Sequence, residues 1–167
     1  SREPRAQGWQ GSVSPLVQAL SRHGDVFALT YTQTVPVEVI ANSAGLREAI
    51  KKIKGLGYSE VVLIGHSAGG LVARHFVEDN PNAGVTRVIQ VASPNAGVVL
   101  AELGVLLAQV PREQELFVKS LGTTYRAQLL RHRQDRLIPS GVDFVCVVTV
   151  AVRGARGDSA VKCTRQW

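Results

Sequence analysis

A run of branched apolar residues that breaks into a glycine-serine-glycine turn constrains the fold of this chain more than any other feature. Residues 61–64 are Val-Val-Leu-Ile, which is typical of a strand buried on both faces. A Gly-x-Ser-x-Gly pattern follows from Gly65 to Gly69, and the apolar residues after Gly70 recur at helical spacing. The segment therefore predicts a buried strand, a tight turn and a helix in direct succession.

The serine at the centre of this pattern is a candidate nucleophile. At such a turn Ser67 is held in a strained backbone conformation with its hydroxyl exposed, and Gly65 and Gly69 lack the Cβ atoms that would collide across the turn. The backbone N–H of Ala68 would point to where an oxyanion forms, while His66 is the variable position of the pattern. The alternative is a glycine-rich turn that only packs a helix against a strand. The strand and helix on either side favour the catalytic interpretation.

The rest of the chain predicts helices that alternate with strands. Ser14 and Pro15 are the N-cap and first-turn proline of a helix that ends before Gly24. The apolar residues from Val39 to Ile53 fall on the stripe of one helix. The remaining elements are strands at 25–30, 86–92 and 144–152, an elbow helix that ends near residue 80, and helices at 98–109 and 113–133.

Strands that are buried on both faces and alternate with helices indicate an α/β fold with a mostly parallel sheet and helices on both faces. At 167 residues the chain fits a single domain over 1–167. Residues 98–140 form a helical insert in this pattern. The insert either caps a site or packs as core helices, and periodicity does not separate the two.

The net charge of +6 does not by itself indicate a nucleic-acid partner, because the basic residues are scattered and no aromatic residues are interleaved with them. The largest basic group is interpreted as a solvated helix face, and it consists of Arg126, Arg131, Arg133 and Arg136. We therefore expect no nucleic-acid binding.

The cysteine and hydropathy patterns predict no metal site and no membrane span. Cys146 and Cys163 lie in no CxxC motif and at no metal-ligand spacing from a histidine, so we expect two reduced thiols and neither a metal nor a cofactor. No apolar run reaches the ~20 residues of a transmembrane helix, and no signal-peptide pattern follows Ser1. These features favour a cytoplasmic location, and the sequence leaves the oligomeric state open.

Three motifs together point to a known family. Residues 65–71 are Gly-His-Ser-Ala-Gly-Gly-Leu, residues 91–97 are Val-Ala-Ser-Pro-Asn-Ala-Gly, and residues 157–161 are Gly-Asp-Ser-Ala-Val. From about residue 12 to 167 the chain resembles the α/β-hydrolase family, within it the lipase-like and GPI-inositol-deacylase-like branch. The second motif is similar to the family's Gly-Ser/Thr-Pro-His/Asn-x-Gly turn. The third is similar to the Gly-Asp-Gly-Val-Val loop that carries the acidic residue of many lipases.

The resemblance implies roles for individual residues. Ser67 would be the nucleophile, the Ala68 N–H an oxyanion donor, and Asp158 the residue that orients the catalytic histidine and stabilises its imidazolium form. Asp158 could instead only hydrogen-bond its own turn. The alternative acids are Asp135 and Asp143, of which Asp143 enters a predicted strand and so would lie at the wrong end of a parallel sheet.

Two parts of the family's machinery are missing from the sequence. The family places a histidine after the acid, and none follows Asp158; it also places a strand ending in His-Gly before the first helix. The four histidines are interpreted as surface or packing residues: His23, His66, His75 and His132. We therefore expect an internal part of a larger hydrolase, incomplete at both ends of the sheet, with the base beyond Trp167 and the second oxyanion donor before Ser1. Alone, such a piece should show no appreciable ester hydrolysis.

The function that these expectations favour is hydrolysis of a carboxylic ester, small or lipid, through an acyl-Ser67 intermediate. The same turn also occurs in thioesterases, amidases and acyltransferases, so the resemblance does not fix the substrate. A non-catalytic binding or scaffold module that retains the turn but lacks the base is the competing class.

Overall fold

The computed structural model describes residues 7–101, 110–136 and 139–148. The chain divides into two compact units, Ser1–Gln33 and Thr34–Trp167. The first contains a 3₁₀ turn, Gly8–Gln10, and helix α1, Pro15–Leu20. The Ser14 hydroxyl accepts a hydrogen bond of 3.1 Å from the Val17 N–H, which satisfies an N-terminal donor of the helix. The predicted capped helix with its first-turn proline is thus confirmed.

The strand expected at 25–30 is not formed. Residues 25–32 belong to no helix or strand, and Val26 and Phe27 are 39% and 47% exposed. A strand exists only through its hydrogen bonds to a neighbouring strand, and a short apolar stretch does not supply that neighbour. The prediction of a buried strand here is therefore wrong.

The second unit contains a parallel sheet of three strands, β1 (Val62–His66), β2 (Arg87–Val91) and β3 (Asp143–Val147), in the order β1-β2-β3. The register aligns Ile64 with Ile89, and Ile89 with Val145. The parallel direction of every pair confirms the expected sheet type. All three strands consequently end at one edge, where Ser67 follows β1.

Helix α4, Ala68–Asp79, packs on β1 and β2, and helix α2, Val37–Ala41, packs on α4. The core between these elements is apolar and fully buried at Val37, Leu71, Phe76, Val77 and Val88. On the opposite face of the sheet Ile64 and Val145 are 37% and 38% exposed. Burial of the α4 face fixes the helix that begins directly after Ser67.

Two predicted helices are each divided in the structure. The stripe from Val39 to Ile53 belongs to α2 and to α3 (Ala44–Gly55), because the Ser43 hydroxyl accepts from the Leu46 N–H at 3.3 Å and begins a new helix. The predicted helix at 113–133 is a 3₁₀ turn, Arg112–Gln114, followed by α5 (Glu115–Lys119) and α6 (Thr123–His132). Here the buried Ser120 hydroxyl donates to the Phe117 carbonyl at 2.6 Å and accepts from the Val37 N–H at 3.1 Å. These side-chain bonds to the backbone compete with helix continuation.

Parts of the predicted elements, and several predicted residues, lie outside the described residues. Residues 99–101 are helical, whereas 102–109 and 149–152 are not described. Asp158, Cys163 and Trp167 also lie outside. Within the described ranges, no helix has the length and apolar character needed to cross a membrane. The same ranges hold no group of three or more potential metal ligands.

Candidate active site at the end of the first strand

Ser67 has a strained backbone, with φ 53° and ψ −124°. It links the last residue of β1, the exposed His66, to Ala68, the first residue of α4. Positive φ is uncommon for a residue with a Cβ and costs on the order of 1–3 kcal/mol unless the surroundings impose it. The surroundings here include two hydrogen bonds, from the Ser67 N–H to the Val91 carbonyl at 2.8 Å and from the Gly70 N–H to the Ser67 carbonyl at 3.1 Å. The Ser67 side chain forms no cap bond to the helix.

Gly65 is required by the close approach of the backbone across this turn. A Cβ on Gly65 would lie 2.4 Å from the carbonyl carbon and oxygen of Gly69, and equally close to the Gly70 nitrogen. No Cβ in a real structure tolerates such a distance from backbone atoms, so the strand must move if Gly65 is replaced. The role expected for the glycine before Ser67 therefore has a steric basis in the structure.

Replacement of Gly65 by alanine should disrupt the turn. We expect Gly65→Ala to lower the stability by several kcal/mol, as overpacking and backbone shifts do in tight sites. The matched control is Gly45→Ala, since Gly45 lies in helix α3 and a Cβ added there would meet no atom within 4 Å. That change should raise stability by up to about 1 kcal/mol. Urea unfolding of the two variants checks this, and equal midpoints would contradict it.

Ala92, the residue after β2, has a strained backbone like that of Ser67. Ala92 has φ 48° and donates its N–H to the Val147 carbonyl at 2.8 Å. The next side chain, Ser93, packs against the elbow helix: a Cβ on Gly70 would lie 1.9 Å from the Ser93 Oγ. The Ser93 Oγ is buried and has no hydrogen-bond partner among the described residues. The turn of residues 93–97 is thus pressed against the first turn of α4.

A buried amide pair connects this turn to α4. Gln90 is only 1% exposed, and its Nε2 donates to the Gly70 carbonyl at 2.9 Å. The side-chain amides of Gln90 and Asn95 also exchange two hydrogen bonds of 3.2 Å each. Gln90 therefore fixes both the turn after β2 and the carbonyl of Gly70.

A charged cluster joins α6 to the second half of α4. Arg126 lies on α6 with no exposed surface, and its Nη1 is 2.8 Å from the His75 Nε2. The Nδ1 of His75 is 3.1 Å from Glu78 Oε2, and Arg133 bonds both Glu78 and Asp79 at 2.9 Å.

The expectation of a solvated face was therefore wrong for Arg126 and Arg133, whereas Arg131 and Arg136 are exposed.

The sequence does contain a signal for this burial. Arg126 and Arg133 are seven residues apart, which places them on one helical face, and two acidic residues, Glu78 and Asp79, stand together at the end of the elbow helix. Opposite charges on two predicted neighbouring helices are what a buried ion-pair cluster needs.

The protonation states in the cluster follow from its hydrogen bonds. A guanidinium only donates, so the His75 Nε2 must accept and the proton of a neutral His75 sits on Nδ1, facing Glu78. Burial lowers the pKa of His75. Burial alone would raise the pKa of Glu78, but hydrogen bonds from His75 and Arg74 outweigh it and lower that pKa to about 2. Both ring nitrogens of His75 are therefore engaged in the cluster.

These pKa changes predict that acid destabilises the protein. The unfolded chain takes up a proton on His75 below about pH 6.5 and on Glu78 below about pH 4.5, whereas the folded state resists both. The free energy of unfolding should therefore fall as the pH drops. The loss that is due to Glu78 alone reaches about 3 kcal/mol near pH 2. Urea unfolding midpoints measured from pH 7 to pH 3 check this. In Glu78→Gln the slope below pH 5 should shrink, and an unchanged slope would contradict the assignment.

The other candidate residues fall at different places. His132 is exposed at the end of α6 and Asp135 is exposed just after it, while His23 is exposed in the first unit. Asp143 begins β3 and pairs with Arg87 at 2.9 Å. Because the strands are parallel, Asp143 lies at the edge opposite to Ser67.

Comparison with known proteins identifies the family. A model of the family described as "Domain of unknown function (DUF7379)" matches residues 5–138. The chain belongs to the DUF7379 family. A search of curated protein sequences gives no significant match.

Solved structures show which fold this DUF7379 domain has. It is similar to the mature lipase BlEst2 of Bacillus licheniformis, with a TM-score of 0.69 and 19% identity over 88% of this chain and 62% of that one. The propeptide form of that lipase has a TM-score of 0.66 and 19% identity, over 83% of this chain and 32% of that one. Phospholipase PlaB of Legionella pneumophila in complex with thio-NAD has a TM-score of 0.59 and 19% identity, over 86% of this chain and 35% of that one.

This chain thus spans about three fifths of mature BlEst2 and about a third of the other two. At such identities the likeness shows the fold, and the expected α/β-hydrolase fold is confirmed.

Proposed function

We propose that this DUF7379 domain belongs to a serine hydrolase that cleaves carboxylic esters through an acyl-Ser67 intermediate. The observation that carries the proposal is the backbone of Ser67, at φ 53° between β1 and α4. A turn that only packs a helix on a strand would accommodate glycine there without strain. A serine in that conformation supports a role for its hydroxyl, which a glycine cannot replace.

The chemistry follows from the position of this hydroxyl at the start of a helix. The Ser67 Oγ attacks the ester carbonyl while a general base takes its proton, and the Ala68 N–H donates to the developing oxyanion. The alcohol leaves with the proton from the base, and water then releases the acid from Ser67. Asp158 orients the base. We propose that the base comes from elsewhere in the protein than the described residues, because His75 is engaged with Arg126 and Glu78.

The proposed substrate has an apolar acyl group. In the insert of residues 98–140, Val99, Leu100 and Leu116 are exposed, each by more than half. Exposed apolar side chains on a segment attached to the elbow helix support a role of the insert as a cap that contacts an acyl chain. The GPI-inositol-deacylase-like part of the resemblance makes an acyl ester on an inositol-containing lipid one specific candidate.

The test is a substrate series with detection of the covalent intermediate. The full-length protein is assayed on nitrophenyl butyrate, nitrophenyl palmitate and a phosphatidylcholine vesicle, and mass spectrometry of the proteolytic peptides identifies the acyl adduct on Ser67. Ser93→Ala is the control, since the Ser93 hydroxyl is buried and should not be acylated. Turnover with an adduct on Ser67 is the expected result. Absence of both turnover and adduct would favour a binding module and contradict the proposal.

A further inference from the structure

We propose that Arg126, on helix α6 of the insert, is a positioning residue that holds the turn of Ser67 in shape through Asn95 and Gln90. The inference rests on the function proposed for Ser67. Five hydrogen bonds connect Arg126 of the insert with the carbonyl of the proposed nucleophile, Ser67.

The connection begins at the turn of Ser67 itself. The Gly70 N–H donates to the Ser67 carbonyl at 3.1 Å, and the Gly70 carbonyl accepts from Gln90 at 2.9 Å. Gly70 is thus fixed through both of its backbone polar groups. Gln90 lies on the central strand of the described sheet, where an apolar side chain such as that of Val88 would pack without any hydrogen-bonding requirement. Packing alone does not require an amide at position 90, so the hydrogen bonds of Gln90 account for this residue.

Asn95 carries the connection from the sheet to the insert. Its side chain exchanges two hydrogen bonds with Gln90, which leaves the Gln90 amide only one orientation. Its backbone carbonyl accepts from Arg126 Nε at 3.2 Å. Movement of the Arg126 guanidinium would consequently move Asn95, and with it the amide that holds Gly70.

Packing alone does not explain a buried arginine at position 126. It is fully buried, its two described hydrogen-bond partners are the neutral Asn95 carbonyl and the neutral His75 ring, and its Nη2 has no partner among the described residues. Burying a charge on neutral hydrogen-bond acceptors is costly even though Glu38 and Glu78 attract it from a distance, and well-packed apolar residues often replace buried ionic groups without loss of stability. The directional donors of Arg126 explain its presence where packing does not.

Arg133, which directly follows α6, provides an internal comparison. It bonds Glu78 and Asp79 of α4, so it also attaches the insert to the elbow helix. None of its described hydrogen bonds reaches the turn of residues 93–97. Loss of Arg133 should therefore weaken the attachment of the insert without altering the backbone at Ser67.

The experiment compares variants of the full-length protein at a temperature where all of them are folded. The rate of Ser67 phosphonylation by a fluorophosphonate is measured with Arg126→Lys, Gln90→Met, the double variant and Arg133→Gln. We expect a decrease of about 10-fold for each of the first two, because small displacements of a reacting group are costly. The double variant should be no slower than the slower single one, since coupled residues are not additive. Arg133→Gln should stay within about twofold of the wild-type rate although its Tm falls.

Deuterium exchange of the peptide that spans residues 66–72 is the second measurement, and it does not depend on reactivity. Uptake should rise in Arg126→Lys and Gln90→Met and remain at the wild-type level in Arg133→Gln. If wild-type Ser67 is not phosphonylated, the proposed function fails, and exchange still decides whether Arg126 positions the turn. Wild-type exchange in both Arg126→Lys and Gln90→Met, or equal changes in Arg133→Gln, would overturn the inference. If Arg126→Lys does not fold, Arg126→Met, which fills the same space without a buried charge, replaces it in both measurements.

Discussion

Replacement of Ser67 by alanine is expected to abolish both fluorophosphonate labelling and ester turnover of the full-length protein. Loss of the nucleophile of a serine hydrolase lowers kcat by on the order of 10⁶. Alanine retains the Cβ and therefore the backbone strain at φ 53°, so the fold should be unchanged. Labelling with a fluorophosphonate, followed by mass spectrometry of the labelled peptide, measures the effect. Equal labelling of the wild type and Ser67→Ala would remove Ser67 from the mechanism.

Two further variants separate the chemical role of Ser67 from its structural one. Ser67→Gly should be inactive but more stable by about 1 kcal/mol, because glycine adopts positive φ without a steric cost. Ser93→Ala should retain labelling and lose no stability, since the Ser93 hydroxyl is buried without a partner among the described residues. A Ser67→Gly variant that is less stable than the wild type would show that the strain is not released at this position.

The elbow could be predicted from the sequence because its causes are local. The apolar run of residues 61–64 and the contact that Gly65 makes with Gly69 act over a few residues, and the pattern indicates both. The first helix was predictable for the same reason, since Ser14 caps it three residues away. Short-range sterics and capping leave a direct trace in the order of residues.

The elements that the sequence did not predict depend on distant partners. The apolar stripe continues across Ser43 and the predicted helix continues across Ser120, so periodicity gives no sign of either break. The Ser120 hydroxyl contacts the Val37 N–H, a residue 83 positions away. The expected strand at 25–30 needed a hydrogen-bonded neighbour that local propensity does not supply. Such features follow from tertiary contacts, which a pattern of a dozen residues cannot contain.

The candidate site shows the same division between local and distant causes. The strained turn at Ser67 was predictable, whereas the residue type of Ala92 gives no sign of its positive φ, because alanine rarely adopts that conformation. The burial of Arg126 was missed because charged residues on a predicted helix are usually solvated. It becomes intelligible only with His75 and the Asn95 carbonyl in place.

Asp158→Asn is expected to lower kcat by about 10⁴, because an amide no longer holds the catalytic histidine in the correct tautomer or stabilises its imidazolium form. The direction of β3 supports Asp158 as the acid. Val147, at the end of β3, aligns with Val91, which in turn aligns with His66. The chain therefore leaves β3 at the edge of the sheet where Ser67 lies, eleven residues before Asp158.

The two other aspartates provide matched controls for this variant. Asp143→Asn should retain kcat within about twofold, because Asp143 is exposed at the opposite edge of the sheet and an exposed ion pair with Arg87 contributes little. Asp135→Asn tests the remaining alternative, since Asp135 is exposed directly after α6. Steady-state kinetics on a short-chain nitrophenyl ester distinguish the three. A large loss in Asp135→Asn together with a wild-type kcat in Asp158→Asn would transfer the role of the acid to Asp135, because only the residue that orients the base controls its tautomer.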